Sequence, residues 1–168
     1  HFGFSRPAIS RETQQAVAQA ASDIEQRQAE RSRREIAVAA SEIIHDEIRQ
    51  ANEQAAKNAV RNKILFDGFS SASGLRTDIA LFLADHGRLP DNLNEIGWAG
   101  GVTSVNLSAI EMRPGGILVL RFNPEKLRGT IILTPKTNME AGMITGWDCT
   151  SPDIDFIAEA LPECRYQR

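Results

Sequence analysis

Aromatic side chains are scarce in this sequence, at 6% of its 168 residues. Any compact core must therefore be modest and largely aliphatic. An excess of one charge is also lacking: 19 Lys and Arg stand against 22 Asp and Glu. That balance supplies no basic surface of the kind nucleic-acid binding needs, so no nucleic-acid partner is expected. No run approaches the ~20 consecutive apolar residues that span a bilayer as a helix, and the pattern of a secretory signal peptide is missing. The chain opens on His1; the expectation is a processed piece whose anchor lay upstream, so that any membrane contact comes through a segment absent here. Histidines are few. His45, in HDEIR, lacks the second His of a zinc helix, and His86 sits beside a predicted helix end, where the dipole favours imidazolium. No three-ligand metal set assembles. Metal, cofactor and catalytic residues are all expected to be none.

Residues 10–66 contain neither Gly nor Pro and are rich in Ala, Glu, Gln and Arg. These residues lose little side-chain freedom in a helix. Ser10 is placed to cap a helix beginning just after it. Oppositely charged pairs at i, i+4, such as Glu30 with Arg34 and Glu53 with Lys57, support the same reading. The apolar stripe is thin: Ile36, Ala40, Ile44, Ile48, Ala51 and Ala55 recur at helical spacing, and Leu65 and Phe69 extend it. Such a helix is either solvated or completed by a partner, since helices owe most of their stability to burial. Gly68, Gly74 and the serines between them weaken the helix over 67–74. Beyond that point Leu75, Ile79, Phe82 and Leu83 form a clear stripe, with Gly87 as the stop and Pro90 behind it.

From residue 100 the period shifts toward 2. GILVLRF at 116–122 and GTIILTP at 129–135 read as strands, GMITGWDC at 142–149 as a third, and VTSVNL at 102–107 as a weaker fourth. A short helical turn follows Pro152 and ends at Pro162. The fold class is α+β: a long N-terminal helix packed by its C-terminal part on an antiparallel sheet of about four strands, with a C-terminal cysteine-bounded loop. The helix face of Leu75, Ile79, Phe82 and Leu83 is expected to cover Ile117, Val119, Ile131 and Leu133. The expected division is a helical stalk over 1–66 and a globular unit over 67–168.

Cys149 and Cys164 are the only cysteines, and their spacing fits neither a C-x-x-C redox motif nor a zinc knuckle. Two readings stand. A disulfide points to an oxidising compartment and contributes ~3 kcal/mol in the chain-entropy model; the other is a pair of buried thiols. Gly68-Phe69-Ser70-Ser71-Ala72 departs from G-x-S-x-G at its last position and lies between helices. Arg113-Pro114-Gly115-Gly116 lacks phosphate-loop spacing, and Arg31, Arg33 and Arg34 are flanked by Glu30 and Glu35.

Several short motifs, taken in order, resemble type IV pilins and pseudopilins. Ser73-Gly74-Leu75-Arg76-Thr77-Asp78 followed by Gly87-Arg88-Leu89-Pro90 is similar to the end of the family's first helix and its turn. Ile131 to Pro135 resembles a strand ending Thr-Pro, and Ile144 to Cys149 one ending Trp-x-Cys. Leu161-Pro162 with Cys164 resembles the second half of the family's terminal disulfide loop. The N-terminus departs from the pattern: Phe4 has no apolar helix behind it, and the fifth residue from it is Ala8 instead of Glu. Glu42, His45, Asp46 and Glu47 fall where the family has lipid-buried helix.

The resemblance implies a non-catalytic structural subunit of a type IV pilus or secretion pseudopilus. Its partners would be other pilin-like subunits met through the N-terminal helix, with Cys149 and Cys164 joined. It would lie outside the cytoplasmic membrane of a bacterium; adhesion, DNA uptake and secretion are the roles left open. The alternative is a soluble helical oligomerisation module carrying a disulfide-stabilised α+β domain.

Overall fold

A computed structural model describes residues 3, 10–102 and 104–168. The comparison drawn at Phe4 and Ala8 lies outside the described residues. The chain divides into two compact units, His1–Gln54 and Ala55–Arg168.

The first unit is helix. α1 runs Arg11–Ser71, and its first 44 residues, through Gln54, belong here. The Thr13 N–H donates to Ser10 Oγ at 3.2 Å and the Gln14 N–H to Ser10 O at 3.0 Å, so Ser10 is the N-cap. The stripe residues stand in solvent: Ile36 is 69% exposed, Ile44 54% and Ile48 51%.

The second unit holds the core. It contains the end of α1, then α2 (Ser73–His86), β1 (Leu107–Arg113), β2 (Ile117–Phe122), β3 (Thr130–Asn138), β4 (Met143–Ser151), α3 (Ile157–Ala160) and β5 (Cys164–Tyr166). The strands lie in sequence order, antiparallel except for the parallel β4–β5 pair. The expected helix weakness at 67–74 narrows to one residue. Ala72 leaves helical geometry at ψ 1°, and its N–H donates to Phe69 O, one residue tighter than α. Leu65 and Phe69 from α1, Ala72 at the break, and Leu75 and Ile79 from α2 pack against the sheet.

Two corrections concern the strands. Residues 102–107 are not the first strand: the Leu107 N–H closes a turn on Ser104 O, and β1 begins at Leu107. The sequence SAIEMR hid it, because only Ile110 and Met112 alternate there and an irregularity in pairing follows Leu107. The second correction is one of face. Leu118, Leu120 and Phe122 meet the helices, opposite Leu133 and Ile131 in register. Ile117 and Val119 alternate with them and fall outside that cluster, although Val119 is fully buried. Side chains of a strand point to opposite faces in turn, so a continuous apolar run cannot place all its members on one face.

Gly68 is the point of closest approach. A Cβ there would stand 2.5 Å from Cε1 of Phe122, whose ring is itself buried. The glycine that weakens the helix is what lets its backbone reach β2. Gly68→Ala gains ~1 kcal/mol of helix propensity but overpacks a filled core, which costs ~1–3 kcal/mol. The expected net effect is destabilisation, read as a lower urea midpoint at unchanged slope; a raised midpoint would show that the ring moves aside freely.

Candidate functional site

The features of the second unit that bear on function are the helix–sheet seam, the C-terminal edge and the loop after α2. The edge is built around the Cys149–Cys164 disulfide, whose residues sit in register in the parallel β4–β5 pair with Cα atoms 4.5 Å apart. Both cysteines are buried in the core cluster. Beside them Arg165 donates to both carboxylate oxygens of Asp148, Nη1 to Oδ1 at 2.6 Å and Nη2 to Oδ2 at 3.0 Å. Three residues of strand would pair weakly alone; the covalent link and the bidentate pair fix β5 in place.

Ser151 organises the turn that leads there. Its fully buried hydroxyl donates to Thr130 O at 2.6 Å and accepts the Ile154 N–H at 3.0 Å, and Asp153 Oδ1 accepts the Thr130 N–H at 2.9 Å. Gly129 belongs to the same device, because a Cβ there would overlap the Ile154 side chain. Nothing in the sequence pattern singled out either residue. The short helix that follows is tied back to α1 by Arg61, which ion-pairs with Glu159 at 2.8 Å and lies 3.6 Å over the Phe156 ring.

The remaining seam residues are placed as follows. Leu75 and Ile79 share the core cluster with Ile131 and Leu133. Leu83 is fully buried and Phe82 nearly so, farther along α2 and outside that cluster. The Phe82 ring stacks on His86 at 4.0 Å, and His86 Nδ1 lies 3.2 Å from Phe82 O. Gly87 ends α2 in the left-handed region at φ 70°, its N–H donating to Leu83 O.

Arg88 then reaches Glu95, with Nη2 at 2.7 Å from Oε1, while the Asp91 N–H donates to Oε2 at 2.6 Å. These bonds, the Arg88 one foremost, hold the Glu95 carboxyl at about 2 against an ordinary 4.5. A depressed folded-state value means a stabilising contribution present above the ordinary value and lost as pH falls from there toward 2. Followed by NMR, Glu95 should titrate with a midpoint near 2, and Arg88→Ala should move it up toward the ordinary value; an unchanged midpoint would break the assignment.

An open groove of about 470 Å³ lies between α2 and β4, lined by Arg76, Thr77, Ala80, Thr145 and Trp147 among others. Arg76 sits 4.7 Å over the Phe69 ring, and partial burial lowers its pKa against the opposing pull of Glu163. Among the described residues there is no group of three or more His, Cys, Asp or Glu that could hold a metal ion.

The arrangement is thus a helix end laid on a five-stranded sheet whose last strand is covalently closed onto its neighbour. The same stretch is matched by a family: the profile of pilins, bacterial filament proteins, covers residues 65–165. The chain belongs to the pilin family. No curated protein matches it. The matched segment begins at Leu65, the first wholly buried residue of α1, and takes in the seam, the sheet and both cysteines. Membership makes this pilin a structural subunit of the kind that assembles with other pilin subunits, and suggests a location at the cell surface or beyond it. No described helix is long and apolar enough to cross a membrane.

Proposed function

We propose that this pilin is a non-catalytic subunit of a type IV pilus or a related secretion pseudopilus, packing against its neighbours through the N-terminal part of α1. In this reading residues 1–66 serve as a stalk and 67–168 as the head. The protein acts outside the cytoplasmic membrane, held there by a segment outside these residues. The observation that carries the proposal is the bare stripe of Ile36, Ile44 and Ile48 on a helix of a filament-subunit family. Exposed isoleucines repeating at helical spacing gain from burial, ~1.5–3 kcal/mol for each side chain fully covered, and a neighbouring subunit supplies that cover.

A second reading, a soluble oligomerisation module, is favoured by Glu42, Asp46 and Glu47 along the same stretch of α1, since charges there suit contact in water and not in lipid. Shearing filaments from the producing bacterium and probing them for this chain separates the two. Its presence in the sheared fraction, with filaments or secretion lost on gene deletion, is the expected result. A protein found only in the soluble cytoplasmic fraction, with both properties intact after deletion, would overturn the proposal.

A further inference from the structure

α1 carries one charge pattern twice with its signs inverted. Arg27, Glu30 and Arg34 read plus, minus, plus; Asp46, Arg49 and Glu53 read minus, plus, minus. Both sets fall at i, i+3 and i+7, the spacing that brings three side chains onto one face of a helix. All six residues are exposed. Within the second set Arg49 Nη2 donates to Asp46 Oδ1 at 3.1 Å, so these side chains are neighbours on the helix surface. Arg27, Glu30 and Arg34, together with Arg31, border one shallow depression. At about 100° per residue the two sets are centred roughly 100° apart around the axis, and the Ile36–Ala40–Ile44 stripe takes a third face.

We propose that Arg27, Glu30 and Arg34 of one copy pair with Asp46, Arg49 and Glu53 of a second copy, parallel to the first and displaced by 19 residues along α1. This rests on the filament reading above and supplies the register that reading leaves open. The displacement is about 28 Å at 1.5 Å per residue. Three opposite-sign encounters coincide there: Arg27 with Asp46, Glu30 with Arg49, and Arg34 with Glu53. Arg31 meets the neutral Gln50, and the one like-charge meeting along this stretch is Asp23 with Glu42.

The sense of the pairing follows from the spacing. Run antiparallel, the second set steps by four and then three residues, so the end charges still meet but Glu30 and Arg49 fall one residue, about 1.5 Å, out of line; only the parallel sense aligns all three. Because the two sets occupy different faces, one helix can hold a neighbour on each. The contact is heterologous and does not close, which produces a filament and not a dimer. Exposed ion pairs are individually weak, so their main effect is to select the register.

The test uses the full chain in the producing bacterium. Reversing one set (Arg27→Asp with Arg34→Asp) should cut sheared filaments by about tenfold, as should Asp46→Arg with Glu53→Arg. All four substitutions together should restore them. An interchain disulfide should form in the Arg34→Cys, Glu53→Cys variant and not in the Arg34→Cys, Glu42→Cys variant. Filaments that persist within twofold under single-set reversal would overturn the register and leave the pilin-subunit reading standing. Cross-linking of Arg34→Cys to Asp46→Cys in place of Glu53→Cys would overturn the parallel sense. Absence of the unaltered chain from filaments would remove both readings together.

Discussion

Replacing Leu120 with Ala should destabilise the second unit by ~2–5 kcal/mol, the range for a buried leucine whose cavity only partly collapses. Leu120 has no exposed surface, lies opposite Ile110 and Ile131 in register, and belongs to the cluster that includes Leu65, Phe69 and Ile79. Its removal opens a void between sheet and helices. Ile117→Ala, on the alternate face and half-buried, should cost less, ~0.5–1.5 kcal/mol. Urea unfolding of both variants checks the ordering. Equal losses would mean that the helices do not select one face of β2.

Removing the disulfide is the second large effect. Cys149→Ala with Cys164→Ala should cost ~2–5 kcal/mol, on the order of 10–20 °C in Tm for a unit of this size. The crosslinked residues are 15 apart, so the chain-entropy term alone is ~3 kcal/mol. The loss should also be local, because β5 is only three residues long and pairs with β4 alone. Amides of β5 and α3 should exchange far faster in the variant while those of β2 and β3 keep their protection. A variant with unchanged Tm and a protected β5 would show that Arg165–Asp148 and the packing of Ile157 hold the edge unaided.

Much of this was legible in the sequence for identifiable reasons. The helix over α1 follows from a stretch without Gly or Pro and from Ser10 at its start; the end of α2 follows from Gly87. Runs such as Thr130 to Pro135 are β-branched enough to declare themselves. β1 did not, since three of the seven residues of LSAIEMR are polar and its order comes from pairing with β2. β5 is too short for any period to appear, and its parallel pairing depends on a connection through α3 that only tertiary contacts fix. The face of β2 was ambiguous because Ile117 to Leu120 are apolar on both sides. Gly68 could be recognised as a helix weakness, but its closeness to Phe122, 54 residues later, has no local signal. The inverted charge sets of α1 were present throughout as residues, but without the filament family they read only as a solvated surface.

The central claim is that this pilin carries a self-contained helix–sheet core and a length of α1 that is completed by other copies. Hydrogen exchange on the full chain, compared between dilute monomer and assembled material, tests both halves at once. In the monomer, amides of 61–86 and of β2, β3 and β4 should show the slowest exchange, while those of 11–54 should exchange quickly for want of buried contacts. On assembly the 11–54 amides should gain protection by at least tenfold, with the sheet nearly unchanged. Protection of 11–54 already at the level of β2 in dilute monomer, or assembly that protects the sheet and leaves this stretch as it was, would contradict the account.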